Sequence, residues 1–354
     1  MTPKARAPLE TLRKFAPGTP LREAVELIFR QNTGALIVLG SDDQVERLCS
    51  GGFEFTGAQF TAQKIAELAK MDGGIVVDDV QRAIVRANVH FIPDPSLPTE
   101  ETGTRFRTAD RLAQQTGLPA LAVSEEGRSV AVVFTGQERF VLEAPTALFA
   151  EANQRLQSLE RLRRQLDEAV ERLTRYEIED VVTIRDVVKV IQRAALILRL
   201  MDDLELIAVE LGDEAPLIRL QAADLAEGVA GLIESLNIDY QRRKPRRGAT
   251  VIPKLDALGN ADLYHSTRVA SALGLPPLDQ EVHSRGARTL GVVPRLPDSV
   301  RDALIKRFGT YKRLQEATVE ELDDVEGVGP ARAKTIRRYL DHLEAVPVTP
   351  ALED

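Results

Sequence analysis

Short apolar runs alternate with helical stripes over the first part of the chain, and the alternation stops near Pro145. Leu21, Val25, Leu27 and Ile28 recur at helical spacing, whereas Gly34-Ala35-Leu36-Ile37-Val38-Leu39-Gly40 is an apolar run closed by glycine at both ends, which reads as a buried strand. The pattern then predicts a helix over 58–70 and strands at Ile75-Val76-Val77, Ala83-Ile84-Val85 and Ala120-Leu121-Ala122-Val123. A hairpin follows, in which 130–134 and 139–142 flank Thr135-Gly136-Gln137-Glu138. Helices interleaved with strands of this length predict an α/β domain around a central mixed sheet.

Beyond Pro145 the texture is long, charged and helical. Leu159, Leu162, Leu166, Ala169, Leu173 and Tyr176 keep a spacing of three or four residues. The stripe is short for a coiled coil, so it reads as a helix packed in a bundle, with self-association as the other reading. Gln241-Arg242-Arg243-Lys244-Pro245-Arg246-Arg247 is a basic run broken by proline, either a solvated linker or an accessory phosphate contact. A chain of 354 residues exceeds the ~100–200 residues of one domain. The expected class is multidomain α/β plus α: a mixed-sheet α/β domain at 1–146, a central helical bundle at 147–284, and a small helical domain at 285–354.

Composition narrows the options. Hydrophobic residues make up 44% and charged residues 28%, as in ordinary globular proteins. The longest apolar runs, such as Ala194-Ala195-Leu196-Ile197-Leu198, end at Arg199, well short of the ~20 residues that a membrane helix needs. The N-terminal segment has no apolar core of a secretory signal, and Cys49 is the single cysteine, so no internal disulfide is available and the expected location is cytoplasmic. A net charge of −8 is the wrong sign for a surface coated in DNA, so any DNA contact is expected to be local. Between Arg285 and Leu343 twelve Lys/Arg stand against nine Asp/Glu, a mild local excess.

Three glycine-centred segments carry candidate chemistry. Met71-Asp72-Gly73-Gly74 precedes a strand, and by itself is either a turn or a carboxylate that could hold a divalent cation where a ligand approaches the backbone closely. Farther on, Gly103-Thr104-Arg105-Phe106-Arg107-Thr108 offers two guanidiniums and two hydroxyls at a helix start, where free N–H groups add to the affinity for a triphosphate. At the other end, Val325-Glu326-Gly327-Val328-Gly329-Pro330-Ala331-Arg332-Ala333 reads as a hairpin opening a helix. Gly327 and Gly329 permit positive φ, Pro330 suits the first helical turn, and Arg332, Lys334, Arg337 and Arg338 decorate the helix. This is the helix-hairpin-helix pattern, which takes DNA phosphates without reading bases. A partner hairpin is expected at Val293-Pro294-Arg295-Leu296-Pro297.

These segments, with Gly51-Gly52-Phe53, Arg86-Ala87-Asn88-Val89, Pro98-Thr99-Glu100-Glu101-Thr102, Gln115-Thr116-Gly117 and Glu179-Asp180-Val181-Val182-Thr183, resemble the diadenylate cyclase family in its DNA integrity scanning branch, through nearly the whole chain. The resemblance implies condensation of two ATP into cyclic di-AMP with release of two pyrophosphates, coupled to binding of branched DNA such as recombination junctions in DNA integrity checkpoint signalling. It implies that Asp72 is the catalytic metal ligand, for Mg²⁺ or Mn²⁺. Gly73 and Phe91 would line the adenosine pocket, and Thr104, Arg105, Phe106, Arg107 and Thr108 the phosphates. Gly327, Gly329, Arg332 and Lys334 would contact DNA. The family's homo-octamer, with cyclase domains face to face, is implied as the assembly.

Three positions depart from the family. Phe106 stands where it has His, Gly74 where it usually has Ala, a change expected to loosen the loop, and Glu125-Glu126-Gly127 where it often carries Arg. The alternative they leave open is a degenerate or weakly active cyclase that senses nucleotide while bound to DNA.

Overall fold

The computed structural model describes residues 6–78, 80, 82–125, 130–136, 138–241 and 250–345. The chain divides into two compact units, Met1–Gln154 with Glu205–Arg219, and Arg155–Leu204 with Leu220–Asp354.

The first unit is built on a mixed sheet. Its strands are β1 (Ala35–Leu39), β2 (Cys49–Ser50), β3 (Phe53–Gln59), β4 (Gly74–Asp78), β5 (Ala83–Phe91), β6 (Ala120–Val123), β7 (Ala131–Thr135) and β8 (Glu138–Val141). They lie in the order β2-β5-β4-β1-β6-β7-β8, with β3 also on β5. β1 and β4 pair in parallel, and the remaining pairs are antiparallel. The central strands read as unbroken apolar runs because both faces of the sheet are covered. On one face Ile37, Ile75, Leu121 and Val133 pack with Val25 and Ile28 of the Pro20–Arg30 helix and Ile65 of the Ala62–Leu68 helix. On the other, Val38, Val76, Ala122 and Phe134 meet Ala109 and Leu112 of the Thr104–Thr116 helix.

The helix expected over 58–70 is shorter. Phe53–Gln59 is a strand on β5, with Ala58 opposite Ile84 and Gln59 opposite Ala83. The helix starts only after Thr61, whose hydroxyl accepts the Lys64 N–H at 3.2 Å. β3 is largely exposed and its register shifts between Glu54 and Ala58, so no alternating apolar pattern announced it.

In the second unit the leucine stripe is used inside the chain: Leu159, Leu166 and Leu173 are fully buried on the Pro145–Glu179 helix. The basic stretch 242–247 lies outside the described residues. The C-terminal portion holds two hairpins with one geometry. The first joins the Ala287–Gly291 and Asp298–Phe308 helices, and the second joins Val319–Asp323 to Gly329–Ala345. Leu290, Val293 and Leu296 in the first match Leu322, Val325 and Val328 in the second, and all six join one core. Each hairpin repeats the same turn bonds, Val293 N–H to Leu290 O and Leu296 N–H to Val293 O in one, Val325 N–H to Leu322 O and Val328 N–H to Val325 O in the other.

A buried polar joint anchors the first hairpin. The carboxylate of Asp239 accepts the N–H groups of Ala287 (2.6 Å) and Arg288 (3.0 Å), so a neighbouring helix caps this one. Arg285 reciprocates by donating to the carbonyls of Ile238 (2.5 Å) and Gln241 (2.7 Å) at the end of the Val229–Tyr240 helix. Arg288 pairs with Glu177, which also accepts the Tyr240 hydroxyl at 2.6 Å. Burial, then the neighbouring Glu177 charge, pushes the Asp239 carboxyl up to about 7.

Candidate functional site

In the first unit a cleft of about 780 Å³ opens beside the N-terminus of the Thr104–Thr116 helix. Asp72, Gly73, Phe91, Thr104, Arg105, Phe106 and Thr108 line it together, with Gly34, Gly74, His90, Ser124 and Glu125. Segments far apart in sequence meet because β4 brings the 71–74 turn next to β5, while β1 and β6 carry Gly34 and Ser124 to one end of the sheet. Arg107 is exposed and is not among the lining residues. Two helical steps of ~100° put it on the far side of the helix from Arg105.

The 71–74 turn is shaped by what β5 presses against it. Asn88 takes φ +54°, in the left-handed region, and the β4–β5 register shifts between Gly74 and Val76. A Cβ at Gly73 would stand 2.3 Å from the Asn88 carbonyl carbon, so the turn has room only for glycine. At Gly74 a Cβ would lie 2.1 Å from Cε2 of Phe91. Gly74 therefore does not loosen the loop; the Phe91 ring fills the space that an alanine methyl would need. Asp72 itself is exposed and lines the cleft.

The helix opens with features that favour an anion. Gly103 caps it without a side-chain hydrogen bond, and its first turn has no acidic residue. The first N–H groups of any helix lack intrahelical partners and carry the positive end of its dipole. Arg105 stands beside them, half-buried. Phe106 is turned partly into the apolar cluster of Val38, Val76 and Leu112.

No group of three or more His, Cys, Asp or Glu that could hold a metal occurs among the described residues. An exposed carboxylate beside a helix end whose first N–H groups are free still suits a hard divalent cation, which binds through one or two carboxylates and completes its shell with water and substrate phosphate.

At the second hairpin Gly327 takes φ +85° and Gly329 φ +68°. A Cβ on Gly327 would also come within 3.1 Å of Val300 Cγ2, whereas Gly329 has open space around it and needs glycine for its backbone alone. Arg332 folds back onto the hairpin, donating to the carbonyls of Gly327 and Val328, so it braces the loop. Arg337 does the same for the carbonyls of Gln315 and Ala317. Lys334 and Arg338 are exposed. In the first hairpin the position of Gly327 is taken by Arg295, exposed and itself at φ +58°. Sequence reading placed a hairpin there but missed this cation; its alignment with the glycine of the second hairpin was the signal.

Three family models match successive stretches of the chain. Residues 22–138 match the model for the DisA bacterial checkpoint controller nucleotide-binding domain, 142–281 that for the DisA linker region, and 310–339 the helix-hairpin-helix motif. The chain is 44% identical over 339 residues to the DNA integrity scanning protein DisA of a Parafrankia species, covering 94% of each chain. It is 44% identical over 341 residues to that of Streptomyces coelicolor, covering 94% of this chain and 91% of the relative. Matched by the nucleotide-binding and linker models, and by these relatives along nearly their whole length, this chain belongs to the DisA family of diadenylate cyclases.

Proposed function

We propose that the cleft condenses two ATP into cyclic di-AMP and releases two pyrophosphates, and that the hairpins bind branched DNA without reading its sequence. The observation that carries the first half is the meeting of Asp72, Arg105 and the uncapped start of the Thr104–Thr116 helix in one cleft. The 3′-oxygen of one ATP attacks the α-phosphorus of the other. An O–P bond forms, the bond from that phosphorus to the β-phosphate oxygen breaks, the 3′-hydroxyl proton is lost and pyrophosphate leaves. Positioning and charge neutralisation supply most of the catalysis in such transfers. Asp72 is the residue to hold Mg²⁺ or Mn²⁺, which when bound offsets phosphate charge. Arg105 and the helix N–H groups bind the triphosphate, Thr104 and Thr108 add hydroxyl contacts, and Gly73 and Phe91 border the adenosine. Arg107, on the far side of the helix, is available to phosphates of a facing subunit.

Each ATP is both nucleophile and electrophile, so two clefts must face one another with their ATP antiparallel, and the working unit is a pair of subunits within an octamer. At the DNA end, the Gly327–Gly329 backbone, Arg295 and Lys334 contact phosphates, with Arg332 holding the loop in shape. Such contacts favour the geometry of a junction over base sequence. The output nucleotide then reports DNA integrity to repair in the cytoplasm.

A second reading, a weakly active nucleotide sensor, is favoured by Phe106, which cannot donate a hydrogen bond to phosphate. Incubation of the purified chain with ATP and either ion, followed by chromatography, separates the two. Cyclic di-AMP with matching pyrophosphate supports the cyclase, and bound but unconverted ATP supports the sensor.

A further inference from the structure

Arg105 is held in the cleft by two residues with no role in the reading above. Its Nη1 donates to the carbonyl of Val123 at 3.4 Å, and its Nη2 to Oε2 of Glu125 at 3.3 Å. The guanidinium also lies directly over Gly34: a Cβ built there would be 2.1 Å from Nη1, 2.4 Å from Cζ and 2.7 Å from Nη2. The sheet register explains the convergence. Ala35 of β1 pairs with Val123 of β6, so Gly34 and the residues after Val123 leave the sheet side by side, under the first turn of the Thr104–Thr116 helix.

We propose that Glu125 and Gly34 set the nucleotide affinity of this site by fixing where Arg105 stands: Glu125 is a carboxylate that the triphosphate must displace from the guanidinium, and Gly34 is the gap that lets the guanidinium lie against the cleft wall. The inference rests on the cleft being a nucleotide site. Glu125 has the chemistry of a competitor. It is a single carboxylate, two-thirds exposed, so water can take it over once a polyanion arrives. A triphosphate offers Arg105 several oxygens and a bidentate grip. The exchange therefore favours nucleotide, but by less than it would if Arg105 waited unpaired. Gly34 acts in the opposite direction: any side chain there would push the guanidinium out of its place, so glycine supports binding whichever partner Arg105 has.

The test uses 3′-deoxy-ATP with Mg²⁺, a nucleotide that binds without reacting, titrated calorimetrically into the full chain. Glu125→Gln should bind about three- to fivefold more tightly, the scale of one exposed ion pair. With ATP the same variant should lower KM at unchanged kcat. Gly34→Ala, shown to be folded by circular dichroism, should bind about tenfold more weakly; if it does not fold, the Glu125 arm stands alone. The specificity of the pair is read from a double-mutant cycle, in which the gain from Glu125→Gln should vanish on an Arg105→Ala background. A gain that persists without Arg105 would mean that Glu125 merely repels phosphate, and would overturn the proposal. So would an affinity in Glu125→Gln no higher than that of the natural chain. Failure of the natural chain itself to bind 3′-deoxy-ATP would instead overturn the nucleotide reading on which the proposal rests.

Discussion

The ring of Phe91 occupies the place where a side chain on Gly74 would begin, with Cε2 only 2.1 Å from the Cβ position. One residue opens the 71–74 turn into β4, the other ends β5, and both border the cleft. The two have to change together. Gly74→Ala alone should cost about 1–3 kcal/mol through overpacking, read as a fall in the thermal midpoint. Adding Phe91→Leu should return at least half of that loss. Additive losses in the double variant would mean that the two do not share the space.

Phe106→His places a ring N–H donor at the helix start. A new hydrogen bond to phosphate should raise turnover or lower the ATP requirement several-fold, since bonds to charged groups contribute ~1.5–3 kcal/mol. Phe106 also packs partly into the Val38–Val76–Leu112 cluster, so the same change should lower the thermal midpoint. Steady-state kinetics on the folded fraction decide the matter. Flat or reduced kinetics would identify Phe106 as part of a repacked, competent pocket.

Much of this site could be read along the chain because each half of it is local. Asp72-Gly73 and the 104–108 cluster are contiguous, and the buried strands β1 and β6 are unbroken apolar runs. What escaped depends on pairing across the fold. β3 is exposed and bulged, so it lacks an alternating pattern. The place of Arg105 over Gly34 requires the β1–β6 register. Arg332 carries the charge expected of a DNA contact, yet its direction, back onto Gly327, is set by the hairpin carbonyls. The joint of Glu177, Asp239 and Arg288 unites residues from three helices that no sequence window contains.

That joint should make stability depend on pH in a defined direction. The Asp239 carboxyl rises from 3.8 to about 7 on folding, with burial and the Glu177 charge opposing its ionisation, and the Ala287 and Arg288 N–H groups and the Arg288 guanidinium favouring it. Between those values the folded chain keeps a proton that the unfolded chain has released. This contribution is therefore fully present in acid and is lost as pH rises toward 7. The thermal midpoint of the natural chain should fall more steeply from pH 5.5 to 8 than that of Asp239→Asn. Parallel curves would remove Asp239 from the titration.

For the hairpins, junction binding should weaken steeply with salt. Lys334→Ala should reduce the slope of log affinity against log salt by about one. Val at both Gly327 and Gly329 forces positive φ on β-branched residues and, at Gly327, crowds Val300, so a folded double variant should lose most junction affinity in gel shifts. Full affinity in that variant would move the DNA contact away from the second hairpin.

The proposed cyclase chemistry depends on Asp72 more than on any other residue of the cleft. Asp72 is exposed, so Asp72→Asn should leave the thermal midpoint within about 2 °C, as for most surface changes. It removes the charge that would hold the divalent ion, and the decisive measurement is cyclic di-AMP formed from ATP with Mg²⁺ or Mn²⁺ by the natural chain and this variant, side by side. The natural chain should form product and the variant at least a hundredfold less, about 2.7 kcal/mol at the transition state. Equal product from both chains, or none from either, would contradict the proposal.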